Sequence, residues 1–150
     1  MNSEELNKYF IDNDINLMNL WFSYDDDGHR YNKYYPLTTD TLEVSEGWYR
    51  LIHDLFEELL KTNWDKDIHQ IKEKFGGLRF YIGGATEEIF DIISKYEELS
   101  YKTCEVCGEK GEIRNDIGWW RTLCNKHYEE RKNKYNKEKK LCQNQNLEMN

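Results

Sequence analysis

Three cysteines and one histidine in the last third of the chain have the types and the spacing of metal ligands. Cys104 and Cys107 form a C-x2-C pair, and Cys124 and His127 form a C-x2-H pair after sixteen intervening residues. Thiolate sulfur and imidazole nitrogen are ligands that zinc prefers, and two short-spaced pairs are the usual way to assemble a tetrahedral site. The spacing therefore predicts one Zn2+ ion held by these four side chains.

Two other interpretations of these residues are weaker. Disulfides are disfavoured because the chain shows no secretion leader and its cysteines lack an even, framework-like spacing. A catalytic zinc is disfavoured because four protein ligands leave no coordination position for water or substrate. We therefore expect a structural metal, and we expect the remaining cysteine, Cys142, to be a free thiol.

The residues around the two pairs predict a treble-clef zinc finger. Gly108 permits a tight knuckle after the first pair. Short strands are expected at Glu112–Arg114 and at residues 119–123, and a helix is expected to start at Cys124 and to run to about Lys140. So small a unit lacks a core of its own, so metal binding has to supply much of its folding free energy.

The preceding residues predict a small α+β body in helix–hairpin–helix order. Apolar residues recur at helical spacing over residues 46–60, with Ser45 as a suitable cap. A hairpin is expected from Ile68–Lys74 and residues 78–83, where the glycine pair Gly76-Gly77 can supply the positive φ angles of a tight turn. The two helices that flank the hairpin can cover one of its faces.

The other elements of the body have weaker patterns. Ser3 is expected to cap a short helix through Phe10, followed either by a helix capped by Asp14 and carrying Met18 or by a strand over residues 17–24. Thr86 is expected to cap the second strong helix. Its predicted apolar stripe is Ile89, Phe90, Ile92, Ile93, Tyr96 and Leu99.

Residues 24–41 are expected to form a loop, because they contain three aspartates, a glycine and the only proline. The run Asp25-Asp26-Asp27-Gly28 does not fit a calcium loop, since the alternation of ligands and the closing glutamate are missing. The chain is thus divided into an acidic body at 1–100, a zinc module at 101–141 that packs on it without a flexible linker, and a disordered tail at 142–150.

The charge is unevenly distributed between the two parts. Residues 1–100 contain 10 Lys or Arg and 21 Asp or Glu, whereas residues 101–150 contain 11 and 8. An acidic body repels phosphate backbones and suits a protein partner with a basic surface, although solubility alone is the simpler interpretation. No apolar run has the roughly 18 residues that a membrane helix needs, so we expect a soluble, cytoplasmic protein.

Three segments together resemble a family of small uncharacterised proteins of bacteriophages and prophages. They are GWYRLIHDLFEEL at residues 47–59, QIKEKFGGLRFYI at 70–82 and SYKTCEVCGEKGEIRNDIGWWRTLCNKH at 100–127. The resemblance implies a phage-infected host cytoplasm and supports the four zinc ligands. It implies no catalytic residue.

Three functions follow as hypotheses. The first is a non-enzymatic phage-type accessory protein that binds and inhibits a host protein, such as a defence nuclease or sensor, through exposed aromatics. Its candidate residues are Tyr31, Tyr34, Tyr35, Trp119 and Trp120.

The second hypothesis is nucleic-acid binding by the finger and the basic C-terminal helix. Its candidates are Arg114, Arg121, Lys126, Arg131, Lys132 and Lys134. The third, a nuclease on a treble-clef scaffold, is disfavoured because no suitable histidine–carboxylate pair is evident.

Overall fold

A computed structural model describes residues 1–15, 22–24, 26–27, 30–32 and 37–149. The described elements alternate helices with three two-stranded antiparallel sheets, so the chain is an α+β protein as predicted. In chain order they are α1 Ser3–Asp12, β1 Phe22–Tyr24, β2 Arg30–Asn32, α2 Tyr49–Leu59, β3 Ile68–Lys74, β4 Gly77–Ile82, α3 Glu87–Ser100, β5 Glu112–Arg114, β6 Arg121–Leu123 and α4 Asn125–Glu148. None of the helices in these ranges has the length and apolar character needed to cross a membrane.

The core of the body lies between the β3–β4 hairpin and the helices α1, α2 and α3. Aromatic rings dominate its centre: Phe56 packs edge-on against both Phe10 and Phe80 at 5.5 Å between ring centroids. Trp64 adds a tilted contact to each of the two rings Phe56 and Phe80. Such pairs contribute roughly 0.5–1.5 kcal/mol beyond their buried area. Part of the aromatic content of the sequence therefore fills this core.

Helix α3 also covers the outer edge of β4. The Ser100 hydroxyl accepts a hydrogen bond from the N–H of Leu78 at 2.8 Å, and the Glu97 carboxylate accepts one from the N–H of Phe80 at 3.1 Å. These side chains satisfy strand donors that no neighbouring strand meets, which prevents that edge from pairing with another chain.

One of the four predicted helix caps is observed, and the other three differ. Thr86 caps α3 by accepting from the N–H of Ile89, as predicted. Helix α1 is capped by Asn2 rather than Ser3, because Asn2 and Glu5 form a reciprocal capping box. Ser45 precedes a 3-10 turn, Glu46–Trp48, and its side chain makes no capping hydrogen bond.

Asp14 follows the C-terminal end of α1 and does not have the backbone conformation of an N-terminal helix cap. Its φ of 52° is left-handed. The N–H of Asp14 donates to Ile11 and the N–H of Ile15 donates to Phe10, which is the hydrogen-bond pattern of a Schellman ending. The remainder of the predicted second helix, with Met18, lies outside the described residues; of the alternative strand, Phe22–Tyr24 is observed as β1.

Two of the predicted apolar positions of α3 are exposed. Phe90 and Leu99 lie at the surface, whereas Ile89, Ile93 and Tyr96 are buried. The predicted stripe is wider than the face that packs on α2 and β4, so its flanks remain in solvent.

The segment predicted as a loop contains regular structure. Within it, β2 pairs with β1, and residues 39–41 form a 3-10 turn. Glu43 then forms a parallel bridge to Lys72 and adds a very short strand to the edge of β3.

Helix α4 continues to Glu148 instead of giving way to a disordered tail at residue 142. Residues 141–148 contain neither glycine nor proline, so nothing in that stretch stops the helix. None of its residues is buried, so its distal half projects from the body.

Candidate metal centre

The first ligand pair lies on a knuckle that follows α3. The N–H of Gly108 donates to the carbonyl of Cys104 at 2.9 Å, and the N–H of Cys104 donates to the carbonyl of Glu109 at 2.7 Å. Gly108 has a φ of 79°, a conformation that costs glycine little. This turn brings Cys107 back beside Cys104.

The second pair is positioned by the start of α4. Cys124 follows β6 and is the N-terminal boundary residue of the helix, and His127 lies in its first turn. Because residues three apart share a helix face, both side chains point to the same side. Strand β6 pairs with β5, and Gly111 donates to the carbonyl of Lys102, which ties the hairpin to the knuckle.

The four predicted ligands meet at one point. Their ligand atoms all lie within 4.8 Å of one another. The Nδ1 of His127 is 3.2 Å from the Sγ of Cys124 and 3.6 Å from the Sγ of Cys104, and the Sγ of Cys107 is 3.8 Å from that of Cys124. This cluster could hold a metal ion, with Nδ1 as the imidazole ligand.

The thiols influence one another's ionisation. Burial raises the pKa of the Cys104 thiol, but backbone N–H groups of Cys124, Cys107 and Val106, together with His127, outweigh it and lower that pKa to about 7. Burial and the neighbouring sulfurs raise the pKa of Cys107 to about 11. Adjacent thiolates repel one another, and a divalent cation between them removes that repulsion.

The knuckle is also fixed to the body. The N–H of Gly47 donates to the carbonyl of Glu105 at 2.8 Å, and the indole N–H of Trp48 donates to the carbonyl of Thr103 at 2.8 Å. On the other side, the hydroxyl of Thr122 donates to the carbonyl of Gly76 at 2.6 Å. The tip of the β3–β4 hairpin therefore lies against β6.

That contact assembles an exposed aromatic patch, which we define as Phe75, Trp119 and Trp120. These side chains are 50%, 61% and 44% exposed. Phe75 stacks on Trp119 with centroids 6.1 Å apart and planes inclined by 14°, and it meets Trp120 edge-on at 6.0 Å. The sequence predicted the two tryptophans as partner-binding residues but not Phe75, because only the folded chain brings the hairpin turn beside them.

The turn itself differs from the predicted one. The residues with positive φ are Phe75, at 53°, and Gly76, at 80°, rather than the pair Gly76-Gly77. Lys74 pairs with Gly77 across the two-residue turn. A phenylalanine in the left-handed region is a strained residue, and the Phe-Gly step was the signal that could have indicated it.

The tyrosines predicted to bind a partner come from residues 31–35. Tyr34 and Tyr35 lie outside the described residues. Tyr31 belongs to β2, where the structure describes the backbone.

Three of the residues predicted to contact nucleic acid are arginines, and their guanidinium groups interact with other residues of the protein. Arg114 lies over the ring of Tyr128 with its guanidinium carbon 4.3 Å from the centroid, and it also bonds to Leu123 and Asn125. Arg121 donates to Glu105 at 3.1 Å, and Arg131 donates to two backbone carbonyls. By contrast, Lys126, Lys132 and Lys134 are exposed on α4.

Two histidines have carboxylate neighbours that the sequence spacing did not reveal. The Nδ1 of His53 lies 2.8 Å from the carboxylate of Asp54, and the Nε2 of His69 lies 3.2 Å from that of Asp67. Each pair joins residues one or two positions apart. His29 lies outside the described residues.

Comparison with known proteins gives no relative: no protein-family model, no curated protein and no solved structure matches the chain.

Proposed function

We propose that Cys104, Cys107, Cys124 and His127 hold a structural Zn2+ ion in a treble-clef module. Zinc bonds of about 2.3 Å to sulfur and 2.0–2.1 Å to nitrogen place tetrahedral sulfurs about 3.8 Å apart and a sulfur and a nitrogen about 3.5 Å apart. Three of the six separations, at 3.8 Å, 3.2 Å and 3.6 Å, lie near these values, and all six are within 4.8 Å. The knuckle, the β5–β6 hairpin and the start of α4 have the order of that fold.

A carboxylate beyond the ligands supports the same proposal. The Nε2 of His127 is 4.0 Å from the carboxylate of Glu130. Ligating histidines commonly direct their second ring nitrogen to a carboxylate, which fixes the tautomer and makes the other nitrogen a better ligand.

Elemental analysis of the purified protein tests this assignment. We expect one zinc per chain in the wild type and in Cys142→Ser, whose cysteine lies far along α4. Cys107→Ser should lose the metal or bind it far more weakly. Equal zinc content in all three proteins, or zinc in none, would contradict the proposal.

We further propose that the protein acts without catalysis, by binding another protein through the aromatic patch. The observation that carries this is the convergence of three exposed rings from two separate loop tips. Large aromatic side chains dominate the energetics of protein interfaces because they bury much area with few rotatable bonds. Four protein ligands around one ion leave no position for a reacting molecule, which supports a structural role for the metal.

Strain at Phe75 supports the same conclusion. A bulky residue in the left-handed region costs on the order of 1–3 kcal/mol, and such residues cluster at functional sites. Asparagine followed by glycine suits a turn of this kind much better. The folded chain thus holds a phenylalanine where an asparagine would be more stable.

The resemblance to small phage proteins favours a host protein as the partner, with inhibition as the consequence of binding. The excess of acidic residues in 1–100 favours a partner with a basic surface, including one that otherwise holds nucleic acid.

Capture experiments with matched variants test the patch. The tagged protein is incubated with host lysate, and bound proteins are identified for the wild type, Phe75→Asn, Trp119→Ala and Phe90→Ala. Phe90 is an exposed phenylalanine on α3, so its variant controls for the loss of any surface ring. We expect a partner retained by the wild type and Phe90→Ala and lost by the two patch variants. Retention of the same proteins by all four would refute this function.

Nucleic-acid binding is a second candidate, because Lys126, Lys132 and Lys134 are exposed on a helix with no buried residue. Mobility shifts at about 50 mM and 200 mM salt test it, since phosphate contacts weaken steeply with salt. A shift at low salt that disappears in a triple Lys→Gln variant would favour this function over protein binding.

A further inference from the structure

A cleft of about 970 Å³ separates the body from the metal module. Residues 42–45 form one wall, and a face of α4 forms the other, from His127 to Glu138. Trp119 of the aromatic patch also lines the cleft. The cleft therefore connects the metal module to the surface proposed above as the binding site.

One wall of the cleft contains a single-residue parallel bridge, from Glu43 to Lys72 at the edge of β3. The N–H of Glu43 donates to Ile71 at 3.1 Å, and the carbonyl of Glu43 accepts from Glu73 at 2.9 Å. The backbone bends at the next residue, Val44, whose N–H and C=O have no hydrogen-bond partner within the described ranges. Val44 also lines the cleft. Backbone groups left unpaired in this way can form hydrogen bonds with an extended peptide.

The opposite wall fits the length of a short extended segment. His127, Arg131, Lys134 and Glu138 are spaced at three to four residues and lie along one face of α4. A helix rises 1.5 Å per residue, so this face is roughly 16 Å long, which equals about five residues of extended chain.

The cations of the cleft are largely engaged within the chain. Arg121 donates to Glu105, and Arg131 donates to the carbonyls of Ile117 and Trp119 at 3.0 Å and 2.9 Å. Lys134 is the exposed exception among the lining residues that the structure describes.

The carboxylates also have partners within the chain, since Glu43 accepts from Gln70, and Glu73 accepts from Gly76 and Trp119, but these neutral donors leave the negative charges in place. Glu43, Glu130 and Glu138 are exposed and line the two walls, with Glu73 at the side of the cleft. Three thiolates around a divalent ion would add a further net negative charge at His127. The cleft is therefore complementary to a segment rich in lysine or arginine, not to an acidic one.

We propose that this cleft binds an extended basic segment of the partner protein. Its backbone pairs with Val44, and its Lys or Arg side chains lie against Glu43, Glu130 and Glu138. Alternate side chains of an extended segment point to the same side, so alternating basic residues give the segment one positively charged face. The proposal deepens the protein-binding function and rests on it for the identity of the partner, but the cleft can be tested without that partner.

The test uses a capped hexapeptide of alternating lysine and valine as the probe. It is titrated into the zinc-loaded, nitrogen-15-labelled full chain, and backbone amide resonances are followed by NMR. We expect a saturable shift at the Val44 amide that weakens as salt rises. The corresponding peptide of alternating glutamate and valine is the control and should produce no such shift. Absence of a Val44 response at millimolar peptide, or an equal response to the acidic peptide, would overturn the proposal.

A double variant, Glu43→Gln with Glu138→Gln, tests the charge contribution. Exposed ion pairs are worth a few tenths of a kcal/mol each, so we expect the dissociation constant for the basic peptide to rise by roughly threefold or more. Phe90→Ala, at an exposed position of α3 that does not line the cleft, should bind the peptide like the wild type. An unchanged dissociation constant in the double variant would contradict a basic occupant.

The two proposals fail in different ways. If the captured partner binds the double variant as tightly as the wild type but is lost by Phe75→Asn, the cleft proposal is wrong and the patch proposal stands. If the basic peptide binds at Val44 while the patch variants still capture every partner, the patch proposal is wrong and the cleft proposal stands.

Discussion

Phe75 combines an exposed aromatic ring with a left-handed backbone conformation that is unfavourable for phenylalanine. Its ring is half exposed, so burial returns little of the free energy that its left-handed backbone costs. The stacking contact with Trp119 offsets part of that cost. The side chain contributes more to the surface than to the fold.

We therefore predict that Phe75→Asn stabilises the protein while it weakens partner binding. Asparagine accepts the left-handed conformation, and the strain relieved exceeds the exposed stacking lost, so the free energy of unfolding should rise by about 1 kcal/mol. Urea unfolding measures this change. A variant that is less stable than the wild type would show that Phe75 supports the fold instead.

Glu97 provides a prediction about pH. Burial raises the pKa of its carboxyl above the ordinary value, although the N–H of Phe80 and the charge of Arg79 act in the opposite direction. The folded state thus binds this proton more tightly than the unfolded state. The contribution of Glu97 to the free energy of unfolding is therefore complete below the pKa that its carboxyl has in the unfolded state. It is lost as the pH rises through the pKa that the carboxyl has in the folded state.

Glu97→Gln removes that dependence. Relative to the wild type, we expect the variant to gain stability between about pH 4 and pH 7, as measured by urea unfolding at both values. Both proteins have the same candidate metal ligands, so any pH dependence of stability that arises from those ligands is equal in the two and does not affect the difference between them. Asp91→Asn, at an exposed position of the same helix, is the control. A stability difference that does not change with pH would contradict the assigned role of Glu97.

Among the elements, the contact between the start of α2 and the cysteine knuckle couples the two parts of the chain. Gly47 approaches the knuckle so closely that an added Cβ would lie 2.3 Å from the carbonyl oxygen of Cys104 and 2.4 Å from that of Glu105. Both neighbours are backbone atoms, so a side chain at this position cannot be accommodated by a rotamer change.

We predict that Gly47→Ala separates the knuckle from α2 and destabilises the protein by about 2 kcal/mol or more, as overpacking against fixed atoms does. Thermal unfolding of the zinc-loaded protein gives the measurement. Gly84→Ala is the matched control, because no other atom lies within 4 Å of the position that its new methyl group would take. Equal melting temperatures for the two variants would show that the knuckle does not depend on this contact.

Among the described residues, the buried core cluster lies in the body, and the four candidate metal ligands lie outside it. The buried core cluster draws all its members from residues 6–96, and it includes none of the buried residues Cys104, Ile117 and Leu123. The module that carries the ligands therefore lacks the apolar packing that holds the body together. Metal binding supplies roughly 10–16 kcal/mol to isolated zinc-finger peptides, and such units unfold without the ion.

Chelation of the metal should consequently unfold the module before the body. We expect hydrogen exchange after treatment with a chelator to become fast at β5, β6 and the start of α4, while α2 and the β3–β4 hairpin stay protected. Untreated protein and protein reloaded with zinc are the references. Simultaneous loss of protection in both parts would show that the chain is a single cooperative unit.

Local sequence patterns were enough to identify the ligands, because short C-x2-C and C-x2-H pairs restrict geometry over a few bonds. The same holds for the stripe of α2, the two strands of the main hairpin and the threonine cap of α3, each of which depends on neighbours within about four residues. Where a nearby competitor existed, the pattern favoured the wrong residue: Ser3 instead of Asn2 as the helix cap, and Gly77 instead of Phe75 as a turn residue with positive φ. Such choices differ by only about 1 kcal/mol.

Features built from distant parts of the chain had no such local pattern. The aromatic patch joins residues 75 and 119–120, and the cleft joins residues 42–45 to α4. Their existence depends on how the body and the module pack, which is set by contacts such as Gly47 with Glu105 and Thr122 with Gly76. Chemistry carried by neighbouring residues can be recognised from their spacing, whereas a surface shared by separate elements arises only when packing brings them together.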